Sequence, residues 1–483
     1  MVRRGLFTLV VACASASGWA QPNIVVILAD DLGYGDIGVN GGEVIATPYI
    51  DALASRGVRL TQGYVSHPVC SPSRAGLMTG RYQQRHGWEF NPAGRDTAAG
   101  MSTEERTLAD VMRTAGYRTA LVGKWHLGSQ PEHHPVNRGF DEFFGFVGGG
   151  SVYIDADVPG VESWGGRRAG QSNTMVRGLD EREVVDEYLT DRFTNEAADF
   201  IERHADTPFF LFLSHKTPHT PLQATAKYLN RYRHIEDDAT RVYAAMVASL
   251  DDSVGAVVAA LNRAGRRDDT LIVFLSDNGC AEYIAGGCSN SPLRGHKRYF
   301  HEGGVRVPFI VSWPDRLPEG TIFDHPASAL DLMDTFLAAA GRDEVSDDSA
   351  NLLPFLDGTD SGAPHDYLFW RAGPSFAVRD DRWKLIRYNR TDFAREDLDG
   401  SGRLDPPEGG WPTDSPHGRV TLLYDLVNDP SETVNYAAGR PDVVERLTEA
   451  WNGWNALNTS EAILPAYRST LAEFHGEVVQ LVF

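Results

Sequence analysis

Residues 70–81 have the sequence Cys-Ser-Pro-Ser-Arg-Ala-Gly-Leu-Met-Thr-Gly-Arg. Pro72 predicts the start of a helix, because its missing N–H is not needed in a first turn. Cys70 then lies just ahead of a helix N-terminus, where the backbone dipole favours negative charge, and Arg74 can face the same point. The segment therefore predicts an anion site that contains a potential nucleophile. The alternative is a buried cysteine in a strand-to-helix turn, the usual environment of a lone cysteine.

The pattern Cys-x-Pro-x-Arg, followed by Leu-x-Thr-Gly-Arg, resembles the signature of the formylglycine-dependent (type I) sulfatases of the alkaline phosphatase superfamily. A match of this length is far more specific than a lone glycine motif. The resemblance implies that a formylglycine-generating enzyme acts on the chain during maturation and oxidises Cys70 to an aldehyde. It also leads us to expect a bacterial carbohydrate sulfatase.

The N-terminal residues have the pattern of a secretory signal. Arg3 and Arg4 precede the short apolar run Leu6–Cys13, and Gly18-Trp19-Ala20 offers small residues for cleavage. We therefore expect residues 1–20 to be a signal peptide and the protein to be periplasmic or extracellular. Lipidation at Cys13 is the alternative, ranked lower because the apolar run before it is short. No later apolar run is long enough to span a bilayer.

Composition limits the partners of this chain. The formal net charge is −21, and the loss of Arg3 and Arg4 with the signal makes it more negative, so nucleic acid is not an expected partner. An anionic substrate is still compatible with a basic pocket, because salt screens charges beyond ~10 Å. Cys280 and Cys288 are close in sequence in an exported chain, so a disulfide and two free thiols are equally open. The sequence does not indicate the oligomeric state.

Polar side chains follow two predicted strands. The apolar run Pro22–Leu28 leads to Asp30 and Asp31, and a second run leads to Asp277 and Asn278. The carboxyl ends of strands are where an α/β sheet binds ligands, and these side chains offer only hard oxygen ligands. They suit Ca²⁺ or Mg²⁺ rather than zinc. The family resemblance favours Ca²⁺ over Mg²⁺ and adds Cys70 to the ligands. A solvated turn is the alternative for the Asp30–Asp31 pair.

Lys124 and His126 follow the predicted strand Arg118–Val122 and, two residues apart in extended chain, point the same way. The sequence Gly-Lys-Trp-His at 123–126 resembles a family motif, which implies that Lys124 holds the sulfate and His126 handles a proton of the nucleophile. Taken singly, the alternatives are a surface lysine and a core histidine with satisfied hydrogen bonds.

Two later segments add to the resemblance. His215 and His219 follow the predicted strand Pro208–Leu213, and the resemblance favours His219 as the group that protonates the leaving oxygen. Lys297 fits the family's second sulfate-binding lysine, although the family more often has glycine at the position of His296.

The resemblance also implies a mechanism. The hydrated aldehyde made from Cys70 attacks sulfur, and His219 protonates the departing alcohol as a general acid. Lys124, Lys297 and Arg74 stabilise the negative charge that develops on the oxygens. His126 then helps to deprotonate the second hydroxyl, so that sulfate leaves and the aldehyde returns.

The succession of elements predicts an α/β fold with two domains. Residues 21–363 alternate strands and helices, which predicts a large mixed, mostly parallel sheet sandwiched by helices, alkaline phosphatase-like by resemblance. Residues 364–483 predict a small antiparallel sheet with a packed helix at Asp442–Leu457. Within the first part, Phe146–Arg177 is predicted to be a long surface loop and Glu183–His204 a helix.

The substrate is less well defined by the sequence. His86, Trp88 and Arg371 are candidate substrate contacts, because aromatic faces and arginines suit a charged sugar ring, although ordinary packing is the better expectation for any one of them. With export, they favour a sulfated polysaccharide or oligosaccharide as the substrate. Three alternatives are open: an arylsulfatase of broad specificity, a phosphatase or phosphodiesterase on the same fold, and a sugar-binding protein in which Cys70 is never oxidised.

An acidic, glycine-containing segment fits the EF-hand loop template at its oxygen positions. The candidate ligands are Asp397, Asp399, Ser401, Arg403 through its carbonyl, Asp405 and Glu408. Pro406 and Pro407 stand where the exit helix would begin, so we expect a lone calcium loop and not a full EF-hand. A solvated acidic loop is an equally open alternative.

Overall fold

The structure is a computed structural model that describes residues 21–92, 98–165, 172–284, 287–391, 417–460, 463 and 469–483. The predicted signal peptide and the predicted calcium loop Asp397–Glu408 lie outside these residues and stay predictions.

The described strands form two large sheets and two small two-stranded sheets, and helices cover the large sheets. The strands are β1 (Asn23–Asp30), β2 (Val58–Leu60), β3 (Gly63–Tyr64), β4 (Arg118–Lys124), β5 (Glu142–Phe146), β6 (Val161–Trp164), β7 (Thr174–Arg177), β8 (Glu181–Val184), β9 (Phe209–Pro218), β10 (Leu222–Thr225), β11 (Thr270–Ser276), β12 (Phe309–Ser312), β13 (Thr321–Phe323), β14 (Ala327–Ser328), β15 (Leu368–Ala372), β16 (Ser375–Arg379), β17 (Trp383–Arg390), β18 (Arg419–Asp425), β19 (Ser469–Phe474) and β20 (Glu477–Val482). The helices are α1 (Pro48–Ser55), α2 (Cys70–Thr79), α3 (Leu108–Thr114), α4 (Leu189–Arg203), α5 (Ala226–Leu229), α6 (Asp238–Arg263), α7 (Glu302–Val305), α8 (Leu332–Ala339), α9 (Leu353–Leu356) and α10 (Pro441–Asn455). The two-stranded sheets pair β6 with β10 and β3 with β14.

The larger sheet has ten strands in the order β13-β2-β12-β11-β1-β9-β4-β5-β7-β8. Strand β1 lies in the middle and pairs in parallel with β11 and β9, and β4 pairs in parallel with β9 and β5. Strands β12, β7 and β8 pair antiparallel to their neighbours. The predicted mixed, mostly parallel sheet is therefore confirmed, and the four strands around β1 end at one edge.

Two apolar layers cover the faces of this sheet. Ile24, Val26 and Leu28 of β1 pack into one layer, which includes residues of α2, α3 and α8. The alternate residues of β1 pack into the other layer, with residues of α1, α4 and α6. Both faces of β1 are buried, which explains why its sequence is a continuous apolar run. The predicted sandwich of helices is confirmed.

Helix α6 is the one helix among the described residues that is long and apolar enough to cross a membrane by length and composition. It packs against α4, and 72% of its most apolar window is buried inside the protein. Such burial is typical of the core helix of a soluble domain. The length and composition of α6 are therefore only weak evidence for a membrane span.

The smaller of the two large sheets is antiparallel, in the order β15-β16-β17-β20-β19, with β18 also paired to β17. Helix α10 packs on β16 and β17, as predicted. Lys384 of β17 reaches the first part of the chain, where its Nζ lies 2.8 Å from Glu302 Oε1. The domain boundary after residue 363 stays a prediction.

Several predicted elements have other bounds in the structure; β9, for example, extends to Pro218, so that His215 lies within it. In two places the type of element differs. The region Phe146–Arg177 is not one loop, because it contains the strands β6 and β7. The predicted helix Glu183–His204 begins only at Leu189, because Glu181–Val184 forms β8 and pairs with β7. In each case residues whose local pattern predicted a loop or a helix form a short antiparallel strand pair.

Candidate active site and metal-binding cluster

The candidate site lies where β1, β11, β4 and β9 end side by side. Asp30 is the last residue of β1 and Asp31 follows it, while Asp277 and Asn278 follow β11. Lys124 ends β4, and His219 comes directly after β9. The parallel register brings these residues to one edge of the sheet, and each acidic pair lies at the carboxyl end of a strand, as predicted.

Each buried carboxylate in the cluster has a cation at hydrogen-bond distance, and Asp30 Oδ1 also lies 3.9 Å from Arg74 Nη2. Lys124 Nζ lies 2.6 Å from Asp30 Oδ2, and Lys297 Nζ lies 2.6 Å from Asp31 Oδ1. Arg74 Nε lies 2.8 Å from Asp277 Oδ2. The structure thus assembles predicted residues from five separate segments of the chain.

Three shifted pKa values follow from burial and these charges. Burial alone would raise the pKa of Asp30, but Lys124 and the other cations hold it well below its ordinary value. Lys297 likewise lowers the pKa of Asp31 against the effect of burial. Burial, and then the charge of Asp30, raise the pKa of Asp277 to about 7. An additional positive charge in the cluster would therefore relieve repulsion among the carboxylates.

Cys70 is the first residue of α2, which begins one residue earlier than the sequence indicated. Its Sγ lies 2.9 Å from Lys297 Nζ and 3.9 Å from Asp31 Oδ1. Burial raises the pKa of the thiol to about 12, so the unmodified side chain is a neutral thiol at neutral pH. As a thiol it is a weak nucleophile, since the thiolate is the reactive form.

The donor set fits a hard divalent cation. Asp30 Oδ1 and Asn278 Oδ1 are buried without a hydrogen-bond partner among the described residues. Ligand atoms of Asp30, Asp31, Cys70 and His219 all lie within 4.8 Å of one another. Buried oxygens of this kind need a partner, and Ca²⁺ and Mg²⁺ prefer carboxylate and amide oxygens.

His219 and His126, the two histidines with predicted catalytic roles, differ in their hydrogen bonds. The Nδ1 of His219 donates to the Thr220 carbonyl over 2.7 Å, because a carbonyl can only accept, and its Nε2 lies 3.6 Å from Asp31 Oδ2. Burial lowers the pKa of His219 to about 3. Burial and the charge of Lys124 also hold the pKa of His126 well below its ordinary value, and its Nδ1 has no partner among the described residues.

Backbone strain is concentrated at this edge. Asp31 and His126 have φ values of 69° and 67°, which side chains other than glycine rarely adopt. Gly123 has a φ of 116°, and a Cβ there would lie 1.9 Å from the Ser214 carbonyl oxygen. The glycine before Lys124 is therefore required by the close approach of β9.

Two polar contacts of the cluster were not predicted from the sequence. The Tyr283 hydroxyl donates to Asp31 Oδ2 over 3.0 Å, and Arg74 Nη1 donates to Ser214 Oγ over 2.6 Å. Ser214 lies within β9 but directly follows the predicted strand Pro208–Leu213, so a search for polar residues after predicted strands could have found it. Tyr283 lies in the segment closed by the disulfide Cys280–Cys288, which settles the question of those two cysteines. No signal in the sequence distinguishes Tyr283 from an ordinary surface tyrosine.

Two predicted substrate residues have partners inside the protein. Trp88 has no exposed surface, and its Nε1 donates to Ser71 Oγ over 2.9 Å. Arg371 is buried and donates to both carboxylate oxygens of Glu89. Trp88 and Arg371 are therefore packed inside the protein and do not face a substrate in this structure. His86 stays a prediction.

A buried cysteine, an oxygen cluster and several cations at one edge of a mixed α/β sheet are typical of a hydrolase of anionic esters. The Sulfatase family model matches residues 22–342, and the chain belongs to this family. The protein is a sulfuric ester hydrolase with the alkaline phosphatase-like fold. A second model, N-sulphoglucosamine sulphohydrolase, C-terminal, matches residues 295–408.

Individual relatives agree with this assignment. The chain is 33% identical to N-acetylgalactosamine-6-sulfatase of Mus musculus over 445 residues, 86% of this chain and 82% of the relative. It is 33% identical to human (Homo sapiens) steryl-sulfatase over 431 residues, 74% of this chain and 73% of the relative. The solved structure of Ps i-CgsB in complex with k-i-k-neocarrahexaose is 33% identical, with a TM-score of 0.77, covering 91% of this chain and 94% of that one. Equal identity to relatives with different names does not select a substrate.

Proposed function

We propose that this sulfatase hydrolyses sulfate esters of a sulfated polysaccharide or oligosaccharide, with formylglycine made from Cys70 and a Ca²⁺ ion held by Asp30, Asp31, Asp277 and Asn278. The observation that carries the proposal is the convergence of Cys70 Sγ, Lys297 Nζ and the Asp31 carboxylate within hydrogen-bonding range. A sugar substrate is supported by the similar structure, which holds k-i-k-neocarrahexaose.

The charges of the cluster favour an anionic substrate. Three carboxylates, Asp30, Asp31 and Asp277, face three cations, so their charges balance. A divalent cation added to this balance makes the pocket positive, although the whole chain has a net charge of −21. When present, the aldehyde hydrate supplies the attacking oxygen and Ca²⁺ polarises the sulfate.

The chain's own residues have distinct roles in this proposal. Lys124, Lys297 and Arg74 orient the sulfate group and stabilise its negative charge. His219 is the general acid, because its Nδ1–H is fixed on the Thr220 carbonyl and its Nε2 is left to donate to the leaving oxygen. A bound anionic ester beside Nε2 favours the imidazolium form that donation requires. His126 removes the proton that allows sulfate to leave.

Maturation and location follow from the same proposal. A formylglycine-generating enzyme acts on Cys70, and the signal at residues 1–20 exports the protein to the periplasm or the exterior. Peptide mass spectrometry of active protein is expected to show the aldehyde at position 70 and its hydrate. Full activity in protein whose Cys70 is an unmodified thiol would contradict the mechanism.

The deciding experiment uses protein produced together with the converting enzyme. Release of sulfate is measured from defined sulfated oligosaccharides, an aryl sulfate and a sterol sulfate, and release of phosphate from a phosphomonoester and a phosphodiester. We expect turnover of sulfated sugars, no turnover by Cys70→Ala, and full turnover by the control Arg316→Gln, an exposed arginine over Trp313. Preference for the sterol sulfate or for either phosphate ester would refute the proposed substrate.

A further inference from the structure

Arg298 comes directly after Lys297 and lies between two aromatic rings. Its guanidinium carbon is 5.4 Å from the centre of the Tyr283 ring and 4.1 Å from the centre of the Phe483 ring. Tyr283 also donates its hydroxyl to Asp31, so the ring under Arg298 extends into the catalytic cluster. Two cation–π contacts therefore hold the guanidinium of Arg298 beside the candidate site.

The guanidinium of Arg298 has no carboxylate and no hydrogen-bond acceptor among the residues that the structure describes. Other buried arginines are bonded: Arg74 to Asp277, and Arg371 to Glu89. Arg298 is only 9% exposed, and arginines so deeply buried are normally paired. Its donors are thus oriented by the rings and are unoccupied.

The backbone at Arg298 adopts a conformation that favours glycine. Its φ is 82°, and its N–H donates to the Pro68 carbonyl over 2.8 Å, two residues before Cys70. A side chain other than glycine at such a φ is strained, and strain of this kind is concentrated at functional sites. An arginine at this position costs stability that a glycine would not.

We propose that Arg298 binds a second anionic group of the substrate, a sulfate or a carboxylate, on the sugar that carries the cleaved ester or on its neighbour. The inference rests on the proposed function and narrows its substrates to sugars with at least two negative groups. A planar guanidinium suits either group, because its parallel N–H donors match the spacing of two anionic oxygens. Phe483 and Tyr283 fix its orientation before the substrate arrives.

The test compares substrate pairs that differ in one group. One pair consists of a monosulfated oligosaccharide and the same sugar with a second sulfate, and the other pair differs by a uronic acid carboxylate. We expect Arg298→Gln to lower the ratio of kcat/KM between the doubly and singly charged members about 10-fold or more. The pair with the larger change identifies the anion. Arg316→Gln is the matched control, since Arg316 also lies over an aromatic ring, at 5.7 Å from the Trp313 centre.

Two further measurements separate the outcomes. Arg298→Gly is expected to lower the same ratio while raising the melting temperature, because it removes the strain, so a folding defect cannot explain the loss. Calorimetry in the Cys70→Ala background measures binding without turnover. Absence of sugar sulfate turnover by the wild type refutes the proposed function, whereas equal binding of both members of each pair with and without Arg298 refutes the role of Arg298.

Discussion

Lys384→Met should destabilise the protein strongly, because Lys384 is the cation between two buried carboxylates. Its Nζ lies 2.8 Å from Glu302 Oε1 and 3.3 Å from Glu432 Oε1, and all three side chains have no exposed surface. Glu302 keeps Arg306 at 3.3 Å after the substitution. Among the residues that the structure describes, the carboxylate of Glu432 then keeps only the N–H of Glu302, which donates over 2.7 Å, and it has no cation beside it.

We expect a loss of about 3–5 kcal/mol in the free energy of unfolding, the usual cost of removing one partner of a buried ion pair. The loss should depend on pH. Lys384 lowers the pKa of both carboxylates, to about 2 for Glu302, while burial raises that of Glu432 to about 8. Removal of Lys384 raises the pKa values of both glutamates, so the folded variant holds protons that the unfolded chain releases. The variant is therefore penalised more as pH rises, and the loss is larger at pH 9 than at pH 6.

The assay is urea unfolding followed by tryptophan fluorescence at both pH values. The control is Arg263→Met, which breaks the surface pair with Glu202, whose side chains are 59% and 48% exposed, and should cost at most about 1 kcal/mol. The double substitution Lys384→Met/Glu432→Gln should recover part of the stability, because it removes the unpaired charge. A Lys384→Met protein as stable as the wild type at pH 9, or a loss that does not change with pH, would refute the reasoning.

Three other predictions concern the site and the loop. His219→Ala should slow sugar sulfates ~10²–10⁴-fold, far more than an activated aryl sulfate, whereas His215→Ala, which removes a buried contact to Ser253, should affect both alike; equal losses for His219→Ala would move the role to His126. Chelation should abolish sulfate release, and Ca²⁺ should restore it better than Mg²⁺; activity that survives chelation argues against a metal. In calorimetry Asp399→Ala should bind one Ca²⁺ fewer than the wild type and keep aryl sulfatase activity, and an unchanged stoichiometry would identify a solvated loop.

Much of the fold was predictable because its signals are local. The run before Asp30 is apolar at every residue, and this is how a strand buried on both faces is encoded. Asp30–Asp31 and Asp277–Asn278 could each be placed at the carboxyl end of a strand, where α/β sheets bind ligands, but their assembly into one site was implied only by the family resemblance. The same logic failed at Glu181–Val184, where a short pairing with β7 overrode a helical pattern that becomes real only from Leu189.

The features of the site that could not be predicted from the sequence are mainly contacts between residues far apart in the chain. Arg371 looked like a sugar contact, but it pairs with Glu89 across 282 residues. Trp88 also looked like a sugar contact, but it is buried and bonds to Ser71, 17 residues away. Tyr283 reaches Asp31 across 252 residues. The stacking of Arg298 on Phe483 likewise needs the last strand to be in place, and no spacing in the sequence indicates it.

Every residue of α2, from Cys70 to Thr79, is buried in the folded protein. If Cys70 is the residue that is oxidised, no enzyme can reach it once the chain has folded, so the modification must come before folding. The order of events then fixes the outcome for each molecule separately. A chain that folds first keeps its thiol. The fraction of aldehyde in a purified sample therefore reflects the relative rates of oxidation and folding in the cell that made it.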